Sequence, residues 1–269
     1  MLRDITIGQY YPADSILHKL DPRVKLFSTF IYIISLFIFK GLSGYIFITL
    51  SLAIVIRLSK VPFSFMIRGL RSIVILLLIA AICNLLLTPG VPMFQYGFIR
   101  ITKIGLENAV LMTIRMIYLI IGSSLMTLTT TPNALTDGLE KSLSGLNRFG
   151  VPVHEVSMMM SIALRFIPIL IEETDKIMKA QMARGADFES GGLVKRVKSM
   201  VPLLVPLFVS AFRRASDLAL AMEARCYHGG EGRTRMKPLK YHLSDYKAYV
   251  VSVLYLVIVV VLRFHRFSL

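Results

Sequence analysis

The chain has 269 residues with a mean hydropathy of +0.67, and 55% of the residues are apolar. Only 17% are charged, which is too few for a soluble domain of this length and indicates a membrane protein. Lys and Arg total 31 against 16 Asp and Glu, but the sequence shows no basic patch with interleaved aromatic residues, so nucleic-acid binding is not indicated.

The chain begins MLRDITIGQYYPADS, a stretch with acidic residues and no apolar core, so we expect no signal peptide. The two cysteines, Cys83 and Cys226, lie in an apolar run and in a charged segment. We therefore expect no disulfide between them and no metal site.

Five runs without charged residues predict transmembrane helices, at 26–39, 41–56, 72–99, 116–136 and 248–262. The first, second and fifth runs are shorter than the roughly 20 residues that a span needs. Flanking Lys, Arg and Tyr side chains can extend them to the interface. A re-entrant hairpin centred on Lys40-Gly41 is the alternative for the first two runs.

The third run is longer than one helix needs. Its last part contains Pro89, Gly90 and Pro92, which predict that the helix ends near Thr88. The fourth helix is predicted to begin near Gly105 and to end at 131–132.

Basic residues predict the orientation of these spans. With the N-terminus inside, 25 of the 31 Lys and Arg lie in the cytoplasmic segments 1–25, 57–71 and 130–247, and five lie outside. The positive-inside rule then predicts a cytoplasmic N-terminus and an external C-terminus. The remaining base, Arg115, lies within the fourth span, where we favour a structural role and where Glu107 could pair with it.

The segment 132–240 is too long for a loop and too apolar for disorder. It contains three predicted helices, at 132–149, 153–184 and 200–227. If 156–171 and 199–212 crossed the bilayer, a strongly basic loop would be external, so both are assigned to the cytoplasmic side. The chain therefore divides into transmembrane helices one to four (1–131), a cytoplasmic block (132–240), and a last transmembrane helix with a short external tail (241–269).

The predicted fold is thus an all-α membrane protein, with about five transmembrane helices and a cytoplasmic block of long amphipathic helices. Three prolines fall inside the long cytoplasmic helices. Pro168 predicts a kink or break, because proline lacks the backbone N–H that an inner helical turn uses. Pro202 and Pro206 are either flex points or residues of a first helical turn.

Both long cytoplasmic helices end on Ala-Arg, as Ala183-Arg184-Gly185 and as Ala224-Arg225-Cys226. One explanation of the two arginines is structural. A cation at a helix C-terminus interacts favourably with the macrodipole and stabilises the helix by about 0.3–1 kcal/mol. The functional alternative is that each arginine anchors a partner through paired bonds to a carboxylate, with a small alanine beside it. The first motif is followed directly by a glycine and the second by Cys226, so the glycine stop of the second helix is expected later, at Gly229.

Methionines are concentrated in the same block. Seven of the 14 fall within 153–225, about twice the share expected from its length. Methionine is adaptable and suits an interface that repacks, although simple core filling explains the pattern as well.

The sequence resembles the transmembrane T component of energy-coupling factor vitamin transporters, which are ABC-type importers. The resemblance covers nearly the whole chain. The segments that carry it are Ala183-Arg184-Gly185, Ala224-Arg225-Cys226, ALRFIPILIEE at 163–173 and GGEGRTRMKPL at 229–239.

The resemblance implies that the two long cytoplasmic helices are coupling helices, whose arginines, Arg184 and Arg225, dock into two cytoplasmic ATPase subunits. It also implies a separate vitamin-binding membrane subunit, the S component, whose contact we place at Met158, Met159 and Met160. ATP and Mg²⁺ would bind to the partner ATPases and no cofactor to this chain. The implied location is the bacterial plasma membrane.

Two other functions are weighed against this one. A membrane-embedded enzyme would need a nucleophile with a base, paired aspartates or a metal-binding motif in the spans, and none is found. A self-sufficient secondary transporter would show repeat symmetry and polar groups at mid-membrane, and neither is clear. No GxxxxGK[ST] motif occurs, so ATP hydrolysis by this chain is not expected.

Overall fold

The computed structural model of the protein describes residues 10–39, 42–71, 73–90, 92–96, 99–188, 192–230, 236 and 238–264. The helices in these ranges are α1 Ile16–Lys19, α2 Pro22–Ile38, α3 Leu42–Ser59, α4 Phe63–Arg71, α5 Val74–Leu87, α6 Lys103–Thr129, α7 Pro132–Leu143, α8 Val153–Ala183, α9 Leu193–Ala224 and α10 Leu243–Phe264. A 3-10 helix, Ser144–Phe149, follows α7. The strands β1 Pro92–Tyr96 and β2 Ile99–Thr102 form an antiparallel hairpin, which the sequence analysis did not predict.

The protein is an all-α membrane protein, as predicted. Among the described residues, α6, α8 and α10 are long and apolar enough to cross a membrane, and α3 with α4 would add a fourth span if that bent pair is counted as one. The prediction of five spans counts α2 and α5 as well, which have 17 and 14 residues. Its cytoplasmic placement of α8 stays a prediction.

Several predictions fall partly on residues outside the described ranges, including the absence of a signal peptide (1–9), the third apolar run (72, 91 and 97–98) and the external tail (265–269). The re-entrant hairpin alternative is centred on Lys40-Gly41, and the quoted segment 229–239 includes 231–235 and 237.

Contacts divide the chain into two compact units. One contains Gly8–Leu139 and Leu239–Leu269, and the other contains Glu140–Pro238. The first unit holds two groups of buried apolar side chains. One joins α3, α4 and α6 through Leu52, Met66, Leu125 and Leu128, and the other joins α2, α3 and α10 through Leu36, Ile48 and Val259.

A glycine allows α2 to approach α6 closely in this core. The ring of Tyr32 lies against Gly122, so close that a Cβ added there would be 2.2 Å from the ring carbon Cε1. The Tyr32 hydroxyl donates a hydrogen bond to the carbonyl of Tyr118 (3.0 Å). The ring therefore fills the space that Gly122 leaves open.

The N-terminal end of α2 is fixed by a buried polar cluster. Asp21 caps the helix by accepting a hydrogen bond from the N–H of Arg23 (2.9 Å), and Pro22 occupies the first helical turn. The backbone N–H of Asp21 donates to Asp245 Oδ1 (2.8 Å), and Asp245 Oδ2 accepts from the N–H of His242 (2.7 Å). The starts of α2 and α10 are thereby joined through one carboxylate.

Burial works against ionisation of the Asp21 carboxyl, but hydrogen bonds from the side chain and the backbone of Arg23 hold its pKa below the usual value. Lys25, one turn further along, is buried and donates from Nζ to the carbonyls of His18 (3.1 Å) and Thr129 (2.9 Å). The carbonyl of Thr129 lies in the last turn of α6, where backbone carbonyls have no hydrogen-bond donor within the helix. Lys25 supplies that donor.

Arg115 in α6 does not use Glu107 in the contacts that the structure gives it. Its Nε donates to the hydroxyl of Tyr45 (2.9 Å) and its Nη2 to the carbonyl of Phe39 (3.2 Å). The guanidinium also lies 5.4 Å from the centre of the Phe37 ring. Arg115 therefore ties α6 to α3 and to the end of α2.

Candidate functional site

The candidate site consists of the C-terminal ends of α8 and α9. At the end of α8, Arg184 is the C-cap and Gly185 follows with φ +88°. The N–H of Gly185 donates to the carbonyl of Met182 (3.0 Å), and the N–H of Ala186 donates to that of Gln181 (3.0 Å). These two bonds form a Schellman motif, which satisfies terminal carbonyls of the helix.

The end of α9 repeats this geometry. Arg225 is the C-cap, and the N–H of Cys226 donates to the carbonyl of Glu223 (2.8 Å). The N–H of Tyr227 donates to the carbonyl of Met222 (3.0 Å). Cys226 has φ +56°, the left-handed conformation that glycine has at the end of α8. Both helices thus end in the same motif, although only one has the glycine.

The prediction that α9 stops at a glycine, Gly229, is wrong. Gly229 also has positive φ (106°), but it lies three residues beyond the position that reverses the chain. A residue with a Cβ in the left-handed region costs about 1–2 kcal/mol, and the two hydrogen bonds of the motif can offset this. Cys226 is exposed and therefore has room for its side chain.

Both arginines are exposed, as are Ala183 and Ala224 before them. Among the described residues, neither Arg184 nor Arg225 forms an ion pair or a side-chain hydrogen bond. A guanidinium has five N–H donors and no acceptor, so an exposed arginine at a helix end can bind a carboxylate. Docking of a partner at these two ends stays a prediction.

The helices that carry the arginines pack on each other within one unit. Arg214 of α9 donates from Nη2 to Glu173 Oε2 of α8, and both side chains are partly buried. An open groove of about 310 Å³ lies beside this pair, and its apolar lining includes Phe166, Leu170 and Leu218. The Glu173–Arg214 pair was not predicted from the sequence, and of its two residues Arg214 lines the groove.

The prolines lie inside continuous helices. α8 runs unbroken through Pro168, so the alternative of a break there is wrong. α9 begins at Leu193, so Pro202 and Pro206 are interior residues and not helix starts. Each proline leaves one backbone carbonyl of the preceding turn without its helical donor. Their role as flex points stays a prediction.

Met158, Met159 and Met160 lie in the first two turns of α8. Met159 is 56% exposed and Met160 is 42% exposed, whereas Met158 is half-buried. Side chains as exposed as those of Met159 and Met160 do not fill a core, so core filling does not explain these two methionines.

The part of the chain that the structure describes contains no cluster of three or more His, Cys, Asp or Glu side chains that could hold a metal ion.

Comparison with known proteins gives consistent matches over almost the whole chain. Residues 13–236 match the family CbiQ, described as cobalt transport protein. Three similar proteins are each named energy-coupling factor transporter transmembrane protein EcfT. That of Clostridium kluyveri is 56% identical over 250 residues, covering 92% of this chain and 93% of the relative. That of Ruminiclostridium cellulolyticum is 50% identical over 264 residues (98% and 99%), and that of Bacillus subtilis is 48% identical over 246 residues (91% and 93%).

Proposed function

Because the chain belongs to the CbiQ family and is related over more than nine tenths of its length to transmembrane proteins of energy-coupling factor transporters, we propose that it is the scaffold that transmits ATP-driven motion in such a transporter. The chain is a non-catalytic membrane component of the transport system. Its partners in the proposal are two ABC-type ATPases in the cytoplasm and a separate S component that binds a vitamin or another micronutrient.

The observation that carries the proposal is the pair of matching helix ends. Arg184 and Arg225 are exposed at the same position of the same capping motif, in one compact unit. Two ATPases that close on each other would need two equivalent handles, and two arginines at helix ends provide them. Each guanidinium can make paired hydrogen bonds to a carboxylate of an ATPase.

The long helices are suited to carry the motion. α8 and α9 have 31 and 32 residues, which corresponds to about 46–48 Å each at 1.5 Å per residue. The Glu173–Arg214 ion pair holds them together between their ends. A displacement of either arginine is therefore passed along a helix and to its neighbour.

We place the S component against the N-terminal turns of α8, at Met158, Met159 and Met160. The support is the exposure of two of these flexible side chains at the end of α8 opposite Arg184. Replacing Met159 and Met160 by Glu should reduce copurification of the S component while leaving the ATPases bound. Unchanged copurification of the S component would exclude this contact.

The arginine anchors are tested by reversing their charge. The variants Arg184→Glu and Arg225→Glu should each weaken binding of the ATPases by at least tenfold, because removing one partner of a buried charge pair costs about 2–5 kcal/mol. The double variant should abolish uptake. The assay measures the ATPases that copurify with the membrane complex, followed by uptake of labelled substrate.

Arg165 and Arg213 provide matched controls, since each is an exposed arginine on the same helix as one of the anchors. Arg165→Glu and Arg213→Glu should leave ATPase binding nearly unchanged. Undiminished copurification with the double Arg184/Arg225 variant would overturn the proposal. An equal loss in the controls would also overturn it, because overall charge would then explain binding.

A self-sufficient transporter makes a different prediction for the isolated chain. The proposed scaffold should neither hydrolyse ATP nor bind a vitamin tightly when purified alone. Calorimetry that showed tight vitamin binding by the isolated chain would favour the self-sufficient transporter.

A further inference from the structure

The short helix α4 follows a fixed elbow after α3. Lys60 has φ +55°, and Pro62 disfavours a helical conformation at the residue before it. The Ser59 hydroxyl donates to the carbonyl of Ile56 (2.6 Å) and accepts from the N–H of Val61 (3.2 Å). These local bonds and the buried side chain of Val61 set the direction in which α4 leaves the elbow.

The direction of α4 is nearly perpendicular to α3. The axes of Gly44–Ser59 and Phe63–Arg71 differ by 118°, which is 28° more than a right angle. If α3 crosses the bilayer along its normal, α4 lies within about 30° of the membrane plane, and the usual tilt of spans changes this by about 20°. The predicted orientation of the chain places this elbow at the cytoplasmic interface.

The two faces of α4 differ in what they contact. On one face, Met66 is fully buried in the core with α6, and Leu70 packs against the same core. On the other face, Phe63, Ile67 and Arg71 follow at intervals of four residues and are all exposed. Phe63 is 52% exposed and Ile67 is 46% exposed, so the outer face of α4 is apolar and ends on a cation.

The charge of this segment is of one sign. Residues 57–71 contain four Lys and Arg and no Asp or Glu, and the next acidic residue on either side is Asp21 or Glu107. Lys60 has an acidic neighbour in Asp14. Among the described residues, the guanidinium groups of Arg57 and Arg71 form no ion pair.

We propose that α4 is an interfacial helix whose outer face binds anionic phospholipids of the cytoplasmic leaflet. Phe63 and Ile67 enter the boundary between headgroups and acyl chains, while Arg57 and Arg71 hold lipid phosphates. An apolar face bordered by unpaired cations is the pattern that lies in a membrane surface and not across it. Arg57 and Arg71 also complement the dipoles of α3 and α4, because they lie in the last turns of these helices, but the exposed apolar face of α4 has no such explanation.

The lipid preference is tested with the full chain in detergent, by native mass spectrometry with dioleoylphosphatidylglycerol or dioleoylphosphatidylcholine. The wild type should retain the anionic lipid preferentially. In the double variant Arg57→Gln/Arg71→Gln, the ratio of bound anionic lipid to bound zwitterionic lipid should fall on the order of tenfold. The reason is that each basic residue near an anionic surface raises the affinity for that surface several-fold. The control Lys103→Gln/Arg263→Gln removes two exposed cations outside this face and should keep the preference. Equal effects of the two double variants, or no effect of either, would overturn the proposal.

The position of the apolar face is tested separately, because the chain contains no tryptophan. Phe63→Trp provides a single fluorophore on α4, in the full chain reconstituted with lipids brominated at a shallow or a deep acyl position. Shallow bromines should quench it more than deep ones, whereas Phe30→Trp at the middle of α2, where Phe30 is 63% exposed, should show the reverse order. Quenching of Phe63→Trp by aqueous iodide without quenching by brominated lipid would overturn the proposal. Protection from both quenchers would overturn it as well, since a protein partner would then cover this face.

Discussion

The matching ends of α8 and α9 allow the cost of a left-handed residue to be measured twice in one protein. We predict that Cys226→Gly stabilises the end of α9 and that Gly185→Ala destabilises the end of α8. The reason is that glycine alone adopts positive φ without a clash of its Cβ with the backbone. The two positions have φ of +56° and +88° and occupy the same place in the motif.

The structure limits the expected magnitude to a backbone effect. A Cβ built at Gly185 meets nothing within 4 Å, so alanine there causes no steric overlap with neighbouring residues. The left-handed conformation costs about 1–2 kcal/mol, and roughly 0.5–1 kcal/mol is recovered because alanine restricts the unfolded chain. The net loss is about 1 kcal/mol, which corresponds to about fivefold in an equilibrium constant. By the same reasoning, Cys226→Gly should stabilise the end of α9 by about 1 kcal/mol.

Hydrogen exchange of two backbone amides provides the assay. In each motif, one of the two hydrogen bonds links residues that are five positions apart in the sequence. The N–H groups of Ala186 and Tyr227 are its donors. Exchange should become about fivefold faster at Ala186 in Gly185→Ala and about fivefold slower at Tyr227 in Cys226→Gly. Cys226→Ala retains the Cβ and is the control, with no gain expected. Faster or unchanged exchange at Tyr227 in Cys226→Gly would refute the reasoning.

Two further predictions concern the first unit, and both are measured as thermal unfolding of the purified protein. Lys25→Met should lower the unfolding free energy by about 2–4 kcal/mol, because it leaves two backbone carbonyls without their donor. Gly122→Ala should cost about 1–3 kcal/mol, because the added Cβ overlaps the ring of Tyr32. Gly69→Ala is the matched control, because its Cβ would lie 3.4 Å from Ser124 Oγ, an ordinary van der Waals contact. Its unfolding free energy should be no lower than that of the wild type. Equal destabilisation by both glycine substitutions would show that the close approach of Tyr32 is not the cause.

Apolar runs located the long helices but underestimated their length. The run 248–262 predicted the last span, whereas α10 begins at Leu243. Its first turn contains Asp245, which accepts hydrogen bonds from two backbone N–H groups and therefore belongs in a helix start. α9 likewise begins seven residues before the predicted 200, in a basic stretch. A search for uncharged residues finds the part of a helix that is apolar, and the charged turns beyond it are lost.

The elements that were missed depend on information that periodicity does not contain. α4 has nine residues, which is too few for a reliable helical pattern, and its buried face is recognised only through contact with α6. The left-handed Cys226 could not be predicted either, because a cysteine has no preference for positive φ. It adopts that conformation since the hydrogen bonds of the motif require it. The two arginines were identified by their repeated setting, and the structure adds that they are exposed.

The capping geometry separates the two explanations of these arginines. In both helices the Schellman bonds already satisfy carbonyls of the last turn, so neither guanidinium is needed to complete the helix end. What remains for a local role is the interaction with the macrodipole, about 0.3–1 kcal/mol, and exposure of both side chains to solvent keeps it at the lower end. An anchor in a partner's groove contributes more, about 2–5 kcal/mol when its charge pair is buried. A structural role therefore predicts that changing Arg184 and Arg225 frays the helix ends and leaves assembly intact. The docking role predicts the opposite, with helix ends unchanged and the ATPases lost, and hydrogen exchange and copurification on the same variants distinguish the two.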